Sequence, residues 1–185
     1  MTPPQVQLRP ATASDLNAIL ALERAAENAP HWPLSSYAAV LAAAGDQRTG
    51  QTSAAPQRCL IVAHRDALLV GFAVGLVTPA PRKLDATCVA EFESVAVASA
   101  ARRTGLGRAL CSAVFDWCRS HGATEVILEV RAASTGAIAL YTSLGFTQSA
   151  RRPRYYHNPD DDALAMRLAL EDRPTSPPAP AGAAA

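Results

Sequence analysis

The chain has 185 residues, 49% hydrophobic and 18% charged, which suits one domain with a substantial core and argues against a mostly disordered protein. Its net charge of +1 excludes a global field that would call for nucleic acid or an anionic membrane, so any anion recognition must be local. Cysteines 59, 88, 111 and 118 form no Cys-x-x-Cys pair and show no metal-ligand spacing with histidine, so they read as reduced core thiols and no metal is expected. The opening Met-Thr-Pro-Pro-Gln lacks the cationic and apolar blocks of a signal peptide, and the longest apolar run, Leu68 to Val77, is too short to span a bilayer. A bacterial-type cytoplasmic location is the expectation.

In chain order, Val6 to Arg9 predicts a short first strand. Thr12 or Ser14 then caps a helix that carries Leu16, Ile19, Leu20 and Glu23 at helical spacing and ends near Asn28. Ala29 to Pro33 is a break, Leu34 to about Ala44 a second helix, and Gly45 to Gln57 a polar connection. Cys59 to His64 and Leu68 to Thr78 form strands across a tight hairpin at Arg65-Asp66-Ala67, and Pro79 to Thr87 is another turn. Cys88 to Val97 is the next strand, followed by a helix from Leu106 to His121 with Gly122 as its stop. Strand Glu125 to Arg131, helix Ser134 to Leu144, and an antiparallel pair at Phe146 to Tyr156 and Ala163 to Leu170 complete the pattern. This predicts an α/β fold with a mixed central sheet and helices on both faces, covering residues 5–170. From Asp172 the sequence is mainly Pro, Ala, Ser and Gly, so 171–185 is expected to be a disordered tail.

The loop between the Cys88 strand and the Leu106 helix carries the clearest chemistry. Gly105 and Gly107 lack the side chains that would hold a phosphate away from the backbone, and the first amides of a helix have no internal partners. Arg102, Arg103 and Arg108 add guanidinium forks that match phosphate oxygens, so the segment reads as a pyrophosphate cradle; a loop with solvated arginines is the plainer alternative. A P-loop is excluded because it needs Gly-Lys-Ser/Thr and the single lysine is Lys83. A dinucleotide fingerprint needs Gly or Ala where Leu110 stands.

Arg102-x-x-Gly105-x-Gly107 resembles the acetyl-CoA signature of the GNAT N-acetyltransferase superfamily. Leu128-Glu129-Val130-Arg131-Ala132, Ala137 to Phe146 with Tyr141 and Gly145, and Tyr155-Tyr156 make the chain similar to that superfamily's bacterial ribosomal-protein-alanine N-acetyltransferase branch, over residues 5 to 170. The resemblance implies the GNAT fold, with a mostly antiparallel sheet. It implies acetyl-CoA as cosubstrate, without a metal, and direct attack by an amine in a ternary complex. The expected partner is a protein or peptide N-terminus, a ribosomal protein among the candidates, with no direct nucleic-acid or membrane binding.

Residue by residue, the resemblance makes Glu129 the general base and Tyr141 the general acid. An exposed strand face or an ion pair with Arg131 is the other reading of Glu129, and core packing that of Tyr141. Val95, Ala96 and Val97 are expected to offer strand backbone to the pantetheine arm. Arg102, Arg103, Thr104, Gly105, Leu106, Gly107 and Arg108 are expected to hold the pyrophosphate. Ser134 stands where the branch often has Asn, and remains a candidate cofactor contact. Trp32, Glu91, Ser94, Tyr155 and Tyr156 are the substrate-binding candidates, with Tyr37 and Glu93 beside them. Arg151, Arg152 and Arg154 either meet an acidic acceptor surface or form a solvated basic turn. Lysine, a small amine, or CoA binding without turnover are the alternatives to an N-terminal acceptor.

Overall fold

A computed structural model describes residues 6–26, 32–45, 55–79 and 88–170. Most of the break at 29–33 and of the 45–57 connection, residues 80–87 and the 171–185 tail lie outside them. Seven strands, β1 (Val6–Pro10), β2 (Gln57–Arg65), β3 (Leu68–Val77), β4 (Val89–Val97), β5 (Glu125–Arg131), β6 (Thr147–Tyr156) and β7 (Asp161–Ala169), form one sheet. Its order is β1-β2-β3-β4-β5-β7-β6, and among the described residues only the β4–β5 pair is parallel. The helices are α1 (Leu16–Arg24), α2 (Leu34–Gly45), α3 (Leu106–Ser120) and α4 (Thr135–Ser143).

Two hydrophobic layers fix which helix lies on which face. On one face Leu106, Leu110, Cys111, Val114, Phe115 and Cys118 form the buried stripe of α3 and pack on β2 to β4. Gly71 and Gly75 of β3 make this close approach work, since a Cβ at Gly75 would lie 2.5 Å from Val114 Cγ1. On the other face Ile19 and Leu20 of α1 and Tyr37, Val40 and Leu41 of α2 cover Leu60, Val62, Phe72 and Val74. Burial pushes the thiols of Cys59, Cys111 and Cys118 up to about 12, consistent with reduced, unreactive core residues.

Strand β4 changes face midway. Val74 pairs with Ser94 but Gly75 pairs with Phe92, so Glu93 is the extra residue of a bulge. Because side chains alternate with period two, the extra residue moves the buried set across the sheet. Ala90 and Phe92 face α3, whereas Ala96 beyond the bulge faces α1 and α2.

The first helix differs from expectation at both ends. Thr12 caps as expected, but the element it caps is a 3-10 turn at Ala13–Asp15 that precedes α1, and the Asp15 carboxylate completes a capping box by accepting from the Thr12 amide (2.8 Å) and hydroxyl (3.0 Å). The same carboxylate takes two hydrogen bonds of 2.8 Å from Arg9, which hold its pKa well below the usual carboxylate range. At the other end α1 stops at Arg24, not near Asn28. The Glu23 carboxylate accepts from Trp32 N–H at 2.9 Å and Tyr37 O–H at 2.7 Å, which ties the end of α1 to the start of α2.

Candidate active site

The parallel pairing of β4 with β5 runs only from Val89–Glu125 to Glu91–Ile127. Beyond that row β4 stays with β3 and β5 stays with β7, so the sheet opens between Phe92–Val97 and Leu128–Arg131. Among the described residues, backbone groups on these facing edges have no strand partner, and those not taken by a side chain are available to an extended ligand. Val95 and Val97 turn their backbone toward this edge, Val97 O accepting from Arg102 Nε, whereas Ala96 shares the parity of the Ala98 amide that donates to Val70 O and so turns its backbone to β3; the Val95 and Val97 side chains pack against the α3 layer.

At the end of that edge the chain makes a 3-10 turn, Ser99–Ala101, passes Arg103 at φ 62 and Gly105 at φ 84, and enters α3. The left-handed conformation at Gly105 is one that side chains rarely adopt. The loop is held from within: Arg102 Nε donates to Val97 O at 3.2 Å, and Thr104 Oγ1 to Ala101 O at 2.8 Å. Ala109 is the first residue whose amide enters the helical ladder, donating to Gly105 O at 3.1 Å. The amides of Leu106, Gly107 and Arg108 therefore remain at the mouth of the loop, where an anion satisfies both them and the helix dipole. Gly107 faces α4, since a Cβ there would stand 3.3 Å from Leu140 Cδ2. Two calls narrow here: Leu106 buries its side chain in the core and Thr104 commits its hydroxyl to the loop, so both offer only backbone.

Glu129 and Tyr141 flank the open gap from opposite sides of the sheet. In β5 Val126, Leu128 and Val130 enter the α3 layer, which turns Glu129 to the other face, left uncovered by α1 and α2 at this strand. Its side chain is 32% exposed and pairs with Arg152 Nη1 at 2.8 Å, not with Arg131. Arg131 instead donates to Pro159 O at 3.1 Å and stacks over the Tyr156 ring at 4.3 Å. Tyr141 reaches from α4 into the α3 layer, 7% exposed, its ring 6.0 Å from Phe92 and 5.8 Å from Phe146. Burial first, then Cys111 and Tyr156, raises its phenol above the ordinary value. Tyr156 is raised as well, by burial and next by the nearby Glu129 carboxylate.

The remaining calls divide. Tyr155 is 47% exposed and stacks edge-on to Tyr156, so the tyrosine pair borders the Glu129 face. Glu91 is exposed on the same face, since it pairs in register with Ile127. Tyr37 is fully buried against Phe72 and does not line a groove; Trp32 beside it is half-buried. Ser94 is buried and its hydroxyl has no partner among the described residues, and Glu93 forms a two-pronged pair with Arg58 at 2.9 Å. Ser134 sits at the start of α4, where its carbonyl accepts from Ala137 and Ile138 and its hydroxyl makes no cap bond. Nor is the arginine turn simply solvated: Arg151 pairs with Asp162 at 2.6 Å, and the Arg154 amide donates to the same carboxylate at 2.8 Å. Among the described residues no His, Cys, Asp and Glu side chains assemble as a metal set, and no helix is long and apolar enough to cross a membrane.

Two connections escaped sequence reasoning. Glu23 was placed on the apolar stripe of α1, and a carboxylate on a buried stripe is a signal that it must have donors. The contact of Arg108 with Ser143 spans 35 positions and leaves no local signature.

The sheet thus opens beside its parallel β4–β5 pair, and a helix start with unpaired amides lies at the end of one edge. The profile described as Acetyltransferase (GNAT) family matches residues 19–146, and the chain belongs to that family. It is 42% identical over 79 residues to the [Ribosomal protein bS18]-alanine N-acetyltransferase of Escherichia coli K12, covering 42% of this chain and 53% of that one. It therefore spans about half the length of that relative. It is 34% identical over 116 residues to the N-alpha-acetyltransferase RimI of Mycobacterium tuberculosis, covering 62% and 68% of the two chains. In structure it is similar to the E. coli ribosomal-protein-S18-alanine N-acetyltransferase, with a TM-score of 0.66 and 26% identity over 91% of this chain and 96% of the other.

Proposed function

We propose that the chain transfers the acetyl group of acetyl-CoA to the α-amino group of a protein N-terminus, with an alanine-starting ribosomal protein as the leading acceptor. The observation that carries this reading is that the open β4–β5 gap has Glu129 on one face of β5 and Tyr141 packed on the other face against Phe92, the first residue of the gap in β4. The cradle fits the cosubstrate: free amides at Leu106 to Arg108, exposed Arg102 and Arg103, and no side chain at Gly107. Acetyl-CoA supplies an activated thioester carbonyl. Named relatives that act on ribosomal-protein alanine support the choice of acceptor.

The chain's own groups then have distinct tasks. Glu129, directly or through water, takes the proton that the attacking amine loses as its nitrogen bonds to the carbonyl carbon. Tyr141, kept protonated by burial, gives its proton to the sulfur as the carbon–sulfur bond breaks. The backbone of Val95 and Val97 on the open edge orients the thioester arm and polarises its carbonyl. An exposed carboxylate is a modest base, which suits an amine of ordinary pKa near 7.7 to 8.0 better than lysine near 10.4. The difference, about 2.5 units, is worth about 3 to 4 kcal/mol of extra deprotonation.

The test is tandem mass spectrometry after incubation with acetyl-CoA and an alanine-starting peptide that carries an internal lysine. Acetyl on the α-amine is expected. Acetyl on lysine alone overturns the acceptor, and no transfer to any amine overturns the reading.

A further inference from the structure

Arg108 was expected to reach for phosphate, but its guanidinium turns toward α4. Nη2 donates to Ser143 Oγ at 2.7 Å and to Ser143 O at 3.3 Å. The end of α4 shows why this matters. Leu140 O accepts from the Leu144 amide and from Ser143 Oγ, Tyr141 O from the Leu144 and Phe146 amides, and Thr142 O from the Gly145 amide. Ser143 O receives its bond from Arg108 across the helix boundary. A cation placed there also complements the negative end of the helix dipole.

Tyr141 lies inside this last turn. Among the described residues no protein group hydrogen-bonds its hydroxyl, so its aim follows from where the helix sits and from packing against Phe92 and Phe146. Gly107, adjacent to Arg108, gives the second point of contact by letting Leu140 approach the first turn of α3. Together the two contacts span residues 140 to 143, on either side of Tyr141.

We infer that Arg108 is a positioning residue for Tyr141: it locks the last turn of α4 to the first turn of α3, and so fixes the phenol that protonates the leaving thiolate. This rests on the role given to Tyr141 above. Loss of the lock then lowers turnover without weakening cosubstrate binding, the reverse of what a phosphate ligand would do.

The experiment compares wild type, Arg108→Gln, Arg108→Lys and Ser143→Ala, with Arg108→Gln repeated in a Tyr141→Phe background. Arg108→Gln should lower kcat about three- to tenfold, the scale of one net side-chain hydrogen bond, with the acetyl-CoA Kd within about twofold. Arg108→Lys should recover part of that loss, and Ser143→Ala should reproduce part of it. In the Tyr141→Phe background the Arg108→Gln effect should shrink below about twofold, because the two act as one unit. Independently of turnover, hydrogen exchange at residues 140–145 should rise about threefold or more in Arg108→Gln, on the same hydrogen-bond scale. A Kd weakened tenfold with kcat unchanged, full additivity with Tyr141→Phe, or unaltered exchange at 140–145 each overturns the inference. Absence of transfer by wild type overturns the functional reading instead, and the exchange result still decides the lock.

Discussion

Replacing Glu23 by alanine tests how the α1–α2 face is held beside the gap. Glu23 is 2% exposed, and one of its oxygens accepts from the Tyr37 hydroxyl and the Trp32 amide. Alanine leaves both donors without that acceptor, in a layer where Tyr37 is itself fully buried. Each orphaned donor costs about 1 to 3 kcal/mol, so the expected loss is about 2 to 6 kcal/mol. For a chain of this size that corresponds to a fall in Tm of about 5 to 20 °C. Glu23→Gln keeps an oxygen for both donors and should recover at least half of the loss. Urea unfolding followed by circular dichroism measures both variants against wild type. A Glu23→Ala protein within about 0.5 kcal/mol of wild type would refute the claim that this carboxylate ties α1 to α2.

Three further outcomes follow from the same structure. Arg102→Ala should weaken acetyl-CoA binding about three- to tenfold by calorimetry while leaving the melting curve nearly unchanged, since the side chain is exposed. With an aromatic disulfide reagent at pH 8, the half-buried Cys88 should react in the native protein, while Cys59, Cys111 and Cys118, with thiols pushed up to about 12, should react only after unfolding. Asp15 has a pKa held below its unfolded value, chiefly by Arg9, so the folded state resists protonation and its contribution is present above the ordinary carboxylate range. The stability gap between wild type and Asp15→Asn should accordingly be larger at pH 6 than at pH 2.5; a gap independent of pH would contradict this linkage.

Much of the fold was legible because its signals are local. The alternation Glu125 to Arg131 gives β5 its observed bounds, and Gly122 at φ 81 closes α3 as its position in sequence implies. The glycine-bearing turn into α3 was legible for the same reason, since a helix start and its glycines are contiguous. What stayed hidden depends on pairings between distant segments. The bulge at Glu93 is a register relation with β3, and the partner of Glu129 comes from β6, where three arginines of similar spacing compete in sequence. Side-chain direction decides Arg108 as well: phosphate and the end of α4 both attract a guanidinium, and only the fold brings Ser143 within 2.7 Å.

The most direct test of the proposed chemistry is single-turnover acetyl transfer to an alanine-starting peptide by wild type, Glu129→Gln and Tyr141→Phe, with the acetyl-CoA Kd measured alongside. The account predicts rates lowered about a hundredfold or more in each variant, the scale of a lost acid or base, with Kd within about threefold of wild type. Wild-type rates in both variants would contradict it, because the two groups that flank the β4–β5 gap would then have no part in the reaction.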